Sequence, residues 1–170
     1  MIIRAETGAD HDDIRRINDE AFGGPVESRL VEAIRASDRF VPDLSLVAVS
    51  EGQSVGHVIS SYVDLVPGTR RVLQVGPLAV LPAHQRRGVG SALMRETIRR
   101  ADDRGEPLLL IEGNPAYYGR FGFRRADALG IEPPPEARGP QYFMLRPLRA
   151  YDSSLTGRAV YPPETFGGLS

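Results

Sequence analysis

Between Val72 and Arg104 the chain changes its hydrophobic period across two glycines, and that change limits the folds open to it. Val72-Leu73-Gln74-Val75-Gly76-Pro77-Leu78-Ala79-Val80-Leu81 is apolar enough for a strand. From about Gly88 to Arg104 the residues Val89, Ala92, Leu93, Ile98 and Ala101 recur at helical spacing. Glu96 sits on the other face, spaced to pair with Arg99 or Arg100, and Gly105 closes the helix. Gln85-Arg86-Arg87-Gly88-Val89-Gly90-Ser91 therefore lies where a strand hands over to a helix N-terminus. Such a terminus offers unpaired N–H groups and the positive end of the helix dipole. Glycines let that backbone approach a phosphate, and two arginines stand beside it. This is the chemistry of a pyrophosphate cradle; from these residues alone a plain strand-to-helix turn is the alternative. A dinucleotide-binding fingerprint fits less well, because it asks for a small residue where Leu93 stands and normally opens a fold.

The remaining composition excludes several chemistries. All 21 basic residues are arginine, so there is no Walker lysine and no lysine Schiff base. Without cysteine there is no disulfide, thiol nucleophile or thiolate zinc site. His11, His57 and His84 are too scattered to suggest a metal centre, and no metal is expected. A net charge of −1 argues against a general polyanion binder, so no nucleic-acid partner is expected. The N-terminus is too short and too soon acidic for a signal peptide, and no apolar run approaches a membrane span. A cytoplasmic protein without a membrane partner, monomer or homodimer, is the expectation.

The order of elements predicts one mixed α/β domain. A strand over Ile2–Ala5 precedes helices over Asp10–Phe22 and from Val26 to about Ala36. Strands over Leu44–Ser50, Val55–Val66 and Val72–Leu81 follow, then the long helix and an apolar strand over Pro107–Ile111. Ala116–Phe121 reads as a short helix, Phe123–Ala126 as a strand, Ile131–Pro135 as a stiff loop and Gln141–Leu148 as the last strand. The Gly/Pro-rich tail, residues 149–170, carries Val160, Tyr161 and Phe166, which give it the means to dock on the domain formed by residues 1–148.

Gln85-Arg86-Arg87-Gly88-Val89-Gly90 resembles the acetyl-CoA signature of the GCN5-related N-acetyltransferase (GNAT) superfamily: Gln or Arg, two residues, Gly, one residue, Gly or Ala. Leu78-Ala79-Val80 before Pro82 also looks like that family. So does Tyr117-Tyr118-Gly119-Arg120-Phe121-Gly122-Phe123, with a tyrosine four residues ahead of Gly-Phe. The resemblance covers about residues 1–148. It implies a mostly antiparallel, twisted sheet of about six to seven strands, flanked by about four helices and splayed between its fourth and fifth strands. Acetyl-CoA is the implied co-substrate. Backbone N–H groups of Arg86, Arg87, Gly88, Val89, Gly90 and Ser91, behind Gln85, are then expected to hold its pyrophosphate. Leu78, Ala79 and Val80 are expected to bind the pantetheine as if it were an added strand, with the Leu78 N–H polarising the thioester carbonyl. Tyr118 matches the family's general acid, with Tyr117 as fallback.

Two positions depart from the family pattern. Its cofactor-contacting asparagine, seven residues before the tyrosine, is Ile111 here, which leaves Asn114 as the nearby asparagine. The family's basic glutamate on the fourth strand is Gln74 here, so Glu112 becomes the candidate base, ahead of His57 and His84. The acceptor is expected to be an amine, in a pocket built from the first two helices, the loop after Tyr62, the Pro133–Pro135 loop and the tail. The missing carboxylate also leaves a non-catalytic acyl-CoA-binding module on the same fold as an alternative.

Overall fold

The computed structural model describes residues 1–166; the last part of the tail, residues 167–170, lies outside the described residues. β1 (Ile2–Ala5), α1 (His11–Phe22) and α2 (Val26–Arg35) lead into three long strands, β2 (Phe40–Ser50), β3 (Gln53–Val66) and β4 (Arg70–Val80). α3 (Val89–Asp103) and β5 (Leu108–Glu112) follow, then the short α4 (Pro115–Tyr118). β6 (Arg124–Arg125), β7 (Ile131–Glu132), β8 (Phe143–Pro147), β9 (Gly157–Val160) and α5 (Pro163–Phe166) complete the described chain.

The strands run in the order β1-β2-β3-β4-β5-β8-β6, with β9 added to β3 and β7 to β9. Among the described residues only β4–β5 and β7–β9 are parallel. Period-two alternation sorts the middle strands onto two faces. Leu46, Ala48 and Val58 join Leu93 and Met94 of α3 in one core. Val47 and Ile59 face the other way, against Ile14 of α1 and Leu30, Val31 and Ile34 of α2. The helices therefore cover both faces of the sheet.

Three expectations are corrected. The segment after Ile131 is not wholly a loop, because Ile131 and Glu132 pair in parallel with Gly157 and Arg158. Phe143–Pro147 is not the last strand, since Gly157–Val160 pairs with Asp64–Val66 of β3. There is no loop directly after Tyr62: β3 runs on to Val66, and the Tyr62 hydroxyl donates to Glu106 on the α3 side. In the first two cases a partner distant in sequence satisfies a short stretch whose local pattern is weak.

β4 and β5 pair at Leu73↔Leu109 and Gln74↔Leu110. From Val75 to Val80, β4 has no partner strand on that side among the described residues, and its backbone is open to a ligand. The splay is the feature of the fold that makes a site.

Candidate active site

Two cavities open at the splay. The smaller, of about 240 Å³, runs past Leu78, Ala79 and Val80 to His84, Gln85, Arg86 and Gly90. The larger, of about 870 Å³, is lined by Gln74, Gly76, Pro77, Ile111, Glu112 and Tyr118, among others, and also by Leu78. Leu78, with Phe22, is thus a wall common to both.

The turn at the far end of the smaller cavity has a backbone geometry that suits an anion. Gln85 folds back and its Nε2 donates to the Val80 carbonyl at 3.1 Å, which fixes the loop to the end of β4. Arg86 has φ +61°, uncommon for a residue with a side chain, and Gly88 has φ +83°. Left-handed residues so closely spaced turn successive N–H groups toward one concavity. α3 then starts at Val89 with no side-chain cap, so its first N–H groups are free for a ligand. A Cβ on Gly88 would meet nothing within 4 Å: the requirement there is conformational, and the space in front is clear. Arg86 and Arg87 are exposed, Val89 is buried, and Gly90 and Ser91 are half-buried.

The adjacent tyrosines serve different cavities. Their rings stand 4.9 Å apart at 87°. Tyr117 turns back to the cradle, where a Cβ on Gly90 would lie 2.9 Å from its hydroxyl, and it lines the smaller cavity. Tyr118 lines the larger one. Its ring packs so closely on Gly113 that a Cβ there would fall 2.3 Å from Cε2, so the glycine is what admits the ring. Burial, followed by the neighbouring Tyr117, pushes the Tyr118 phenol up to about 12. It therefore keeps its proton at neutral pH.

Asn114 caps α4, its Oδ1 accepting from the Ala116 N–H at 2.9 Å, and it lines neither cavity. Glu112, at the end of β5, has both oxygens engaged. Oε1 accepts from the Arg138 N–H at 2.9 Å, and Oε2 accepts from the Tyr161 hydroxyl at 3.2 Å. Tyr161 in turn accepts from Nε2 of Gln74 at 2.9 Å. Burial raises the Tyr161 phenol, so the link to Glu112 is a neutral hydroxyl on a carboxylate. Sequence reasoning missed this role of Tyr161: the tail signalled an aromatic able to dock, but not where.

His57 is removed from the list of bases. It is fully buried on the α1 face of β3, beside the Ser45 hydroxyl at 3.1 Å and Asn18 Nδ2 at 3.4 Å. Burial, then Arg35, drives it down to about 3, so it is a neutral core residue. His84 lines the smaller cavity, away from Glu112. Among the described residues no group of acidic or histidine side chains is arranged to hold a metal ion, and no helix is long and apolar enough to cross a membrane.

This arrangement has known relatives. A family model for the acetyltransferase (GNAT) domain matches residues 2–126. The chain belongs to the GNAT family. The chain is 32% identical to the uncharacterized N-acetyltransferase YjhQ of Escherichia coli K12 over 164 residues, spanning 92% of this chain and 91% of YjhQ. It is 33% identical to E. coli YhbS over 127 residues, 74% of this chain and 75% of YhbS. Among solved structures, E. coli YhbS in complex with CoA superposes with a TM-score of 0.86 at 26% identity, covering 96% of this chain and 90% of that one. A GNAT acetyltransferase of Brucella melitensis in complex with acetyl-CoA superposes with a TM-score of 0.78 at 28% identity, covering 96% of both chains.

Proposed function

We propose that this protein transfers the acetyl group of acetyl-CoA to a primary amine by direct attack. The observation that carries the reading is Leu78, shared by a cavity that ends in an anion cradle and a cavity that holds a protonated tyrosine. CoA in the YhbS complex and acetyl-CoA in the Brucella complex support the choice of ligand for the cradle.

The Arg86–Ser91 backbone holds the pyrophosphate, helped by the positive end of α3. Pantetheine runs along the open edge of β4 beside Leu78, Ala79 and Val80. The Leu78 N–H polarises the thioester carbonyl, a contact worth roughly 3–4 kcal/mol in comparable oxyanion sites. The amine nitrogen attacks the carbonyl carbon, and the C–S bond breaks as the tetrahedral intermediate collapses. The leaving thiolate takes the Tyr118 proton; of the two protons the ammonium nitrogen gives up, one passes through water to Glu112 and on to solvent, and the other restores the Tyr118 phenol. Overall, ammonium and acetyl-CoA become amide, CoA thiol and one proton. The chain has no cysteine to carry the acetyl group as a thioester, which favours direct transfer.

The test is thiol release from acetyl-CoA, followed with and without a panel of primary amines, with the acetylated product identified. Release that depends on the amine supports the proposal. Acetyl-CoA binding with no amine-dependent release assigns the protein to the non-catalytic acyl-CoA-binding class instead.

A further inference from the structure

The larger cavity carries its own chemistry, independent of the cradle. Glu112 is a carboxylate and only accepts, so the Tyr161 hydroxyl must donate to it. Tyr161 oxygen is then the acceptor for Gln74, and the amide must present Nε2 to it. The consequence is fixed: among the described residues Gln74 Oε1 is left as a buried acceptor with no partner, on a side chain only 6% exposed that lines the cavity. A buried acceptor of this kind calls for a donor.

Around it the walls are apolar. Leu30 is buried, while Phe22 and Val26 at the end of α1 and start of α2 are 44% and 48% exposed and line the same cavity. Phe166 stacks on Tyr161 at 4.5 Å and closes the tail side. The charged lining consists of Glu27, Glu112, Glu136 and Arg138. Arg138 lies 3.6 Å from Glu112, while Glu27 and Glu136 make no ion pair among the described residues. The cavity thus combines largely apolar walls, a buried amide oxygen left without a partner among the described residues, and a negative balance.

We infer that the acceptor substrate is a cationic primary amine carried on an apolar body, aliphatic or aralkyl, with no carboxylate of its own. This rests on the acetyl-transfer reading. The ammonium donates to Gln74 Oε1 on its way to attack, the body lies against Phe22, Val26, Leu30 and Phe166, and the unpaired carboxylates repel an anionic group. The reaction is the one already balanced: amide, CoA thiol and a proton from ammonium and acetyl-CoA.

The experiment uses the full chain and follows thiol release with ethylamine, butylamine and hexylamine, then with aminocaproate, which has hexylamine's chain length but ends in a carboxylate. kcat/KM is expected to rise by about fourfold per methylene, and aminocaproate to be at least about tenfold poorer than hexylamine. A flat series, or aminocaproate equal to hexylamine, overturns the inference while acetyl transfer stands. No release with any amine, although acetyl-CoA raises Tm, brings down the acetyl-transfer reading and the inference with it. Two variants separate the parts. Glu27→Gln combined with Glu136→Gln should narrow the hexylamine-to-aminocaproate ratio severalfold with KM for acetyl-CoA unchanged. Gln74→Met should raise KM for hexylamine by about tenfold, again leaving acetyl-CoA untouched. An unchanged ratio, or an unchanged amine KM in a folded variant, counts against the corresponding contact.

Discussion

Single residues in this protein are constrained for different physical reasons, and each reason has its own test. Gly88 is held at φ +83° with open space around it. Gly88→Val should cost about 1–2 kcal/mol in backbone strain and put a branched side chain where the pyrophosphate belongs. Calorimetric titration should show acetyl-CoA affinity reduced at least about tenfold; unchanged affinity would remove the turn from the site. Tyr118 is constrained by burial. Its phenolate is penalised, so the neutral form persists as pH rises past the ordinary phenol value toward about 12. No alkaline limb belonging to Tyr118 should therefore appear in kcat below pH 10 or so; a limb there that vanishes in Tyr118→Phe contradicts the assignment. Glu112→Gln should lower kcat/KM by about a hundredfold at neutral pH, as expected when a proton acceptor is lost. The turn from β4 into α3 was legible in the sequence because glycine spacing and a change of period are local. The division of labour between Tyr117 and Tyr118 was not, because it depends on Gly90 and Gly113, which make room for one ring each.

At the scale of elements, β3 carries a charge problem solved by neutrality. His57 lies under α1, pushed down to about 3 chiefly by burial. Its folded pKa is below the unfolded value, so the unfolded chain binds the proton first. The stability it supports is present above about pH 6.5 and is lost as pH falls toward 3, with a slope of up to about 1.4 kcal/mol per pH unit. Urea midpoints measured across that window should fall with acid in the wild type and fall less in His57→Gln. Equal slopes would mean that His57 is protonated in the fold. Asp10, held near 2 first by its hydrogen bond to Arg4, also stabilises the fold at neutral pH, and that contribution is lost only as pH falls below about 4 toward 2. The helices and long strands were readable because their periods run over many residues, and α1, α2, β1 and β5 fall where periodicity puts them to within a few residues. β7 and β9 were not, since Ile131–Glu132 and Gly157–Val160 are too short to show a period and exist by pairing with each other and with β3.

The whole molecule joins the tail to the site. Gly157–Val160 extends the sheet at β3, Glu164 holds the largely buried Arg39 at 2.6 Å, and Tyr161 reaches Gln74 and Glu112. We therefore propose that residues 149–166 work as part of the domain. Truncation after Leu148 should lower Tm by roughly 10 °C, as a loss of about 3–5 kcal/mol would do in a chain of this size. It should also raise KM for the amine more than KM for acetyl-CoA, because the cradle lies on the far side of Leu78. Both effects would be absent if the tail were a passive appendage. The long-range partners Tyr161 and Glu112 are what sequence reading could not pair, since nothing local marks two residues that meet only through the fold. The account as a whole turns on acid catalysis at the junction of the two cavities. Single-turnover thiol release with acetyl-CoA and hexylamine, for wild type and Tyr118→Phe side by side, tests it most directly. The prediction is amine-dependent release in the wild type, at least about a hundredfold slower in the variant, with acetyl-CoA affinity unchanged. Equal rates in the two proteins, or no release from wild type with acetyl-CoA bound, would contradict it.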